Sequence, residues 1–432
     1  MTLKMPGYLP RVVDRKIEED LLVFGAISVE GPKWCGKTWT ALNHANSANY
    51  LLDPTGGYSN KQRALIDPSL ALEGSKPHLI DEWQEVPGIW DAIRFDVDQT
   101  PGVGKYLLTG SVTPRRDTYQ HSGTGRFSIL RMRPMSLFES GDSTCSVSFD
   151  SILRGEPIDP FSADLSLERL VDITIRGGWP ETLSLTAKQA SRVSVEYINM
   201  ILKKELFDDS TPKRNSAKFK TLLRAAARSN ATIVNVSTLS SDINGQSRST
   251  QNPTEIMASR TTTAEYLDDL KRLFVVEDIL GWDPGIRSKT RIRMTPKLVF
   301  ADPSLAIAAL GLSRDRLLKD LNTFGFMFEN LCLRDIAVYA ENYGGSLYHY
   351  RDNSDLEVDA IVEMQDGSWG AFEIKLGEHQ VEPAIRTLKR LRDKMVENGA
   401  EPPAFLCVIT GGGFGRLRED GIYVIPINSF KC

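Results

Sequence analysis

The strongest constraint on this chain is the glycine-bounded stretch Gly31-Pro32-Lys33-Trp34-Cys35-Gly36-Lys37-Thr38. It fits the pattern G-x-x-x-x-G-K-[ST] at every position, and it lies between an apolar run, Ala26-Ile-Ser-Val-Glu30, and residues that suit a helix from Lys37. A strand feeding such a loop into a helix turns backbone N–H groups and a helix N-terminus toward phosphate. Lys37 is therefore expected to reach the terminal phosphates, and the Thr38 hydroxyl to ligate magnesium. The expected ligands are ATP and Mg2+; the alternative is a chance glycine-rich turn.

Two further apolar strands end in polar groups. Leu79-Ile80-Asp81-Glu82 sets two acids at a strand's C-terminal end, where open α/β sheets bind ligands. Asp81 suits the magnesium shell, and Glu82 suits the orientation or deprotonation of an attacking water. A solvated acid pair is the other reading. Leu107-Leu-Thr-Gly-Ser111 closes the next strand with two hydroxyls, a γ-phosphate sensor or a strand cap. Strands alternating with helical stretches predict a parallel sheet covered on both faces.

These segments occur in a telling order. GPKWCGKT, LIDEWQEVP and LLTGS are followed by Gly125-Arg126, by Leu130-Arg-Met-Arg-Pro134-Met-Ser-Leu-Phe-Glu139, and by Arg176-Gly-Gly-Trp-Pro180-Glu181. The set resembles a large family of prokaryotic AAA+-like ATPases, whose C-terminal domain of uncertain function is similar to PD-(D/E)XK nucleases. The resemblance implies a P-loop ATPase domain and a role for Arg126 as a cation at the γ-phosphate, in its own chain or across a subunit boundary of a homo-oligomer. A surface arginine in a glycine-rich loop is the alternative.

The C-terminal part carries its own pattern. Glu357-Val-Asp359-Ala-Ile-Val-Glu363 and Trp369-Gly-Ala-Phe-Glu373-Ile-Lys375-Leu376 both alternate with period two. A three-residue loop Gln365-Asp366-Gly367, with Gly367 left-handed, pairs Met364 with Ser368 and counts back to set Asp359 opposite Glu373. Facing carboxylates destabilise a sheet, and a divalent metal between them removes the conflict, since hard cations take oxygen ligands. Lys375 beside that metal suits the stabilisation of charge on a phosphate. The resemblance implies the same D…ExK arrangement. Glu329 lies on an apolar helix stripe with Phe326, Leu333 and Ile336, so its carboxylate completes the metal site or pairs with a base such as Arg351. The bland reading of the hairpin is a half-buried sheet with a solvated polar face.

Arg287-Ser-Lys289-Thr-Arg291-Ile-Arg293 places cations at alternate positions, and Lys213, Arg214, Lys218, Lys220, Arg224 and Arg228 form a second basic cluster. They suit nucleic-acid phosphates, or they protect a solvated edge strand. Net charge decides nothing here: −4 over 432 residues names no partner. Five scattered cysteines without CxxC spacing suggest reduced thiols. The absence of a signal peptide or long apolar run suggests a cytoplasmic protein.

The expected architecture has three parts: an AAA+-like parallel α/β domain over 1–150, a helical and winged-helix region over 151–294 with a loop at 240–259, and a mixed α/β PD-(D/E)XK-like domain over 295–432. Two functions fit. One is an ATPase that acts on nucleic acid, with or without metal-dependent cleavage by its C-terminal domain. The other is an ATP-dependent switch whose C-terminal domain binds a partner without cutting. A P-loop small-molecule kinase leaves the C-terminal half unexplained.

Overall fold

A computed structural model describes residues 3–113, 122–205, 216–247, 258–285 and 294–432. The chain forms two units, Met1–Pro134 with Arg272–Phe274, and Met135–Lys271 with Val275–Cys432.

The first unit is built on β1 (Ala26–Glu30), β2 (Ser47–Tyr50), β3 (His78–Asp81), β4 (Tyr106–Gly110) and β5 (Phe127–Arg131). Their order is β2-β3-β4-β1-β5, and every pairing is parallel. Parallel neighbours require crossovers, which here include the helices Lys37–His44, Ser59–Ile66 and Gly88–Gln99. Ala26 to Val29 of β1 and all of β4 are buried, which explains why these strands are continuous apolar runs. Ile89, Trp90 and Ile93 of the helix Gly88–Gln99 pack on Ile80, Leu108 and Tyr106, and the Trp90 ring stacks on Phe127 at 3.9 Å. The parallel ladders set the C-terminal ends of β1, β3 and β4 side by side.

The second unit contains β6 (Val147–Ser148), β7 (Phe161–Ala163), β8 (Thr232–Ile233), β9 (Val276–Gly281), β10 (Lys297–Phe300), β11 (Ser346–Arg351), β12 (Glu357–Glu363), β13 (Trp369–Lys375), β14 (Phe405–Thr410), β15 (Gly413–Leu417), β16 (Ile422–Pro426) and β17 (Phe430–Lys431). Ten of these form a mixed sheet, β7-β15-β16-β14-β13-β12-β11-β9-β10-β8, while β6 and β17 pair separately. The helix Val381–Glu397 lays Val381, Ala384, Ile385, Leu388, Leu391 and Met395 on Ile361, Ala371, Val408 and Val424. Burial of such a stripe contributes about 1.5–3 kcal/mol per large side chain, enough to hold a helix whose other face is charged. Tyr339 of the helix Leu321–Asn342 meets the Phe149 and Phe430 rings, and Phe149 stacks on Phe372 of β13.

Three expectations change. The first unit ends at Pro134 rather than near 150. The strands on either side of 294 pair with each other, and β9 also pairs in parallel with β11. β9 and β10 are therefore part of the C-terminal sheet, because a free strand edge needs a backbone partner. Within the expected loop at 240–259, a helix Val236–Ser247 forms instead, with Leu239 and Ile243 buried one turn apart. That burial outweighs the poor helix propensity of its Ser, Asn and Gly residues. Residues 248–257 lie outside the described part.

The Arg176–Glu181 segment has a packing role. The Gly178 N–H donates to Asp302, and a Cβ on Gly178 would lie 2.1 Å from the Met135 carbonyl oxygen. Trp179 Nε1 donates to Ser304, while Asp302 pairs with Arg334, which also pairs with Asp335. All three charged side chains are buried, so loss of Arg334 would strand two carboxylates at a cost of about 3–5 kcal/mol.

Candidate functional site

The P-loop joins β1 to the helix Lys37–His44, as its spacing demands. Gly36 is left-handed at φ 102°, and a Cβ on Gly31 would sit 2.0 Å from the Met132 carbonyl oxygen at the end of β5. Trp34 is also left-handed, at φ 72°, with its side chain half exposed. The Cys35 side chain is buried, and its carbonyl accepts a 2.7 Å hydrogen bond from the buried Arg11, which also donates to the Arg133 carbonyl at 2.8 Å. Arg11 lies outside the motif and was not singled out by sequence. Lys37 is buried along its stem, and its ammonium donates to the Pro32 carbonyl at 2.8 Å.

Three side chains, one each from β3, β4 and the P-loop helix, meet beside this loop. Asp81 Oδ1 accepts from Thr38 at 2.7 Å and from Thr109 at 2.6 Å. Burial pushes the Asp81 carboxyl above its ordinary range, against those two hydrogen bonds, and the negative charge of Glu82 adds to the rise. Glu82 sits in a left-handed conformation at φ 58°, with its N–H on the Thr109 hydroxyl at 3.1 Å. Its carboxylate accepts from Ser111 at 2.7 Å and from Gln84 at 2.5 Å. Ser111 is thus tied to the acid next to the loop. Gln84, inside the LIDEWQEVP run, was not singled out by sequence.

Arg126 does not join this site within its own chain. It immediately precedes β5, where the Ala26 N–H donates to its carbonyl, so it lies at the N-terminal edge of the sheet. The P-loop leaves the opposite edge, a five-residue strand away, about 16 Å. Arg126 instead forms an ion pair with Asp98 and donates to the Thr124 carbonyl. The arginine at the P-loop end of β5 is Arg131, stacked 4.0 Å from the Phe274 ring.

In the second unit, the hairpin closes as counted. The Met364 N–H donates to Ser368, Gly367 is left-handed at φ 87°, and the ladder pairs Glu363 with Trp369 through Ala360 with Phe372. Continuing the count sets Asp359 opposite Glu373 and makes Val358 and Ile374 the next hydrogen-bonded pair. A register shift between β11 and β12 intervenes near this point. The Ile374 N–H donates to Asp359 Oδ2 at 2.8 Å, so the carboxylate takes the place of a backbone acceptor.

Lysines lie between the acids. Lys375 Nζ lies 2.9 Å from Asp359 Oδ2 and 2.6 Å from Glu373 Oε2. Lys297, which the sequence reading missed, lies 2.6 Å from Glu329 Oε1 and 4.0 Å from Asp359 Oδ1. Glu329 thus joins the cluster, but its base is Lys297; Arg351 pairs with Asp355 and Glu357. Burial, then the neighbouring Asp359 charge, pushes the Glu373 carboxyl up to about 8. Burial pushes Glu329 up to about 7, while Asp359 is held low against burial by Lys375 and Lys297. Among the described residues, no group of three or more His, Cys, Asp and Glu side chains is placed to hold a metal ion. A lysine opening an apolar strand, as Lys297 does before Leu-Val-Phe300, was the available signal.

The basic residues divide. Arg287, Lys289, Arg291, Arg293, Lys213 and Arg214 lie outside the described residues. Lys220, Arg224 and Arg228 recur every fourth position on the helix Ser216–Arg228 and are exposed. Among the described residues, no helix is long and apolar enough to cross a membrane.

Comparison with known proteins matches residues 24–140 to an AAA domain family. Residues 167–316 and 324–430 match two domains of unknown function, DUF8612 and DUF4143. The uncharacterized proteins Rv2008c of Mycobacterium tuberculosis and Mb2031c of Mycobacterium bovis are each 26% identical over 355 residues, covering 81% of this chain and 70% of theirs. Among solved structures, the Walker-type ATPase PABY2304 of Pyrococcus abyssi aligns with a TM-score of 0.41 and 13% identity, over 71% of this chain and 97% of that one.

Proposed function

We propose that the first unit binds and hydrolyses ATP. The observation that carries this reading is the hydrogen-bonded set Thr38–Asp81–Thr109 and Ser111–Glu82 at the strand ends beside a complete P-loop. The AAA domain match over the same segment supports ATP binding. Lys37 leaves the Pro32 carbonyl for the β- and γ-phosphate oxygens, and the loop N–H groups bind the remaining charge. Thr38 and Asp81, hard oxygen donors already in contact, are the residues to hold the magnesium of MgATP, which neutralises phosphate charge. Glu82 orients the attacking water and accepts its proton, and Ser111 and Gln84 hold its carboxylate until then. The test is ATP binding and turnover by the purified chain. Lys37→Ala should abolish tight binding; Glu82→Gln should keep binding and lose about ten-fold or more in turnover. Parental turnover by Glu82→Gln would remove that residue from the mechanism.

A second reading concerns the partner of the other unit. The exposed stripe Lys220, Arg224 and Arg228 supports binding to nucleic-acid phosphates. The helices Ser216–Arg228, Val236–Ser247 and Arg260–Arg272, with β8, β9 and β10, support a winged-helix module around that stripe. Measured binding to single-stranded DNA, duplex DNA and RNA tests it; no binding to any of them at low salt would leave a protein partner.

A further inference from the structure

We propose that Lys297 is a tethered cation that takes the place of a divalent metal in the acid cluster of the second unit, making that domain a metal-independent binding fold. The donor set does not fit a metal. Oxygen ligands to magnesium lie at about 2.0–2.1 Å, whereas Lys297 Nζ already occupies the space between Glu329 and Asp359, donating to Glu329 Oε1 at 2.6 Å and to the Asp359 carbonyl at 3.3 Å. Two further side-chain oxygens are engaged by hydrogen-bond donors. Asp359 Oδ2 accepts from Ile374 and Lys375, and Glu373 Oε2 contacts Lys375.

Lys297 has no room to withdraw. Its side chain is 1% exposed, and its backbone is paired on both edges, with Ile279 of β9 and Ile233 of β8. Displacing the ammonium would leave a buried cation without its acids, a state far costlier than the present pairing. The charges agree: two ammonium groups face three carboxyl groups, which leaves at most one negative charge unmatched, so a dication added to the set overcompensates. Lys297, Glu329, Asp359, Glu373 and Lys375 come from three strands and a helix, so the ion pairs cross-link the sheet as a metal would.

Full-length, nucleotide-free protein provides the test. For the wild type, the second unit should melt at the same temperature, within about 2 °C, in EDTA and in millimolar Mn2+. Asp359→Asn should leave the Mn2+ isotherm unchanged. Lys297→Ala should lower the melting temperature by roughly 10 °C, and Mn2+ should restore part of that loss by entering the vacated space. A wild-type Mn2+ site that Asp359→Asn removes overturns the proposal, and its measurement requires no Lys297 variant to fold. So does Mn2+-dependent cleavage of DNA or RNA that Lys375→Ala abolishes. So does a Lys297→Ala protein that melts like the wild type or that Mn2+ does not rescue.

Discussion

Thr38 of the P-loop helix donates a 2.7 Å hydrogen bond to Asp81 at the end of β3, so two residues 43 positions apart present their oxygens at one point. The Thr109 hydroxyl holds the same carboxylate oxygen and also accepts the Glu82 N–H. Thr109→Val should therefore disturb Asp81 and Glu82 together while leaving the loop intact. The expected outcome is ATP turnover lowered by about ten-fold with affinity nearly unchanged, as for loss of a partner that orients a ligand-holding group. Steady-state kinetics with a separate nucleotide-binding titration would check it; an equal loss in both would assign Thr109 to folding.

Trp34 bears a side chain at φ 72°, a conformation that costs a non-glycine residue about 1–2 kcal/mol. Glycine removes that strain but raises unfolded-state entropy by a comparable amount, so Trp34→Gly should keep stability within about 1 kcal/mol. Trp34→Val should lose about 1–2 kcal/mol more, because a β-branched residue fits this region worst. Urea unfolding of the three proteins gives the comparison, and equal midpoints for Val and Gly would show that the loop relaxes freely.

His78 in the first unit and His349 in the second are buried and held near a pKa of about 4, by burial first, then by Lys76 beside His78 and by Lys297 beside His349. The folded chain therefore rejects protons that the unfolded chain binds once pH falls below about 6.5. Their contribution is present above that pH and lost as pH falls toward about 4, by about one proton per histidine in the slope of stability against pH. Denaturant midpoints at several pH values, compared with His78→Gln and His349→Gln, should show the slope flattening in each variant. An unchanged slope would place the acid sensitivity elsewhere.

If Lys220, Arg224 and Arg228 contact phosphates, binding to nucleic acid should weaken steeply with salt. Replacing all three by alanine should reduce the log–log slope by about 2–3, since each phosphate contact contributes about 0.9 on duplex DNA. Binding that keeps its slope in the triple variant would exclude this helix from the interface.

Arg126 is paired with Asp98 at the sheet edge away from the P-loop. Arg126→Ala should leave turnover by dilute protein within about two-fold, against the roughly thousand-fold loss that an arginine finger would show. Repeating the assay at rising protein concentration tests action across a subunit boundary, which would make the variant defective only where chains associate.

Several features were legible because they depend on neighbours in sequence. The P-loop follows from two glycines, a lysine and a hydroxyl between a strand and a helix, where local backbone sterics decide the turn. The β12–β13 register follows from Gly367 and the alternation of side chains, because one slip would reverse every buried residue. The segment after 236 was misread for the complementary reason: two buried residues, Leu239 and Ile243, overruled a polar local composition.

The Gly367 turn and the alternation set Asp359 opposite Glu373, yet they could not name the cation between them. Lys297 reaches Glu329 from 32 positions away and the Asp359 carbonyl from 62. Such partners are chosen by where the chain returns, and the requirement that buried charges be neutralised says only that some partner exists. Arg126 shows the same limit. Its place after Gly125 and ahead of Leu130 was plain, but the direction of β5 beside β1 carried it to the far end of the sheet. Residue type and spacing thus determined the loop, the strands and the candidate acids; the strand order and the distant ion pairs decided which of those groups meet.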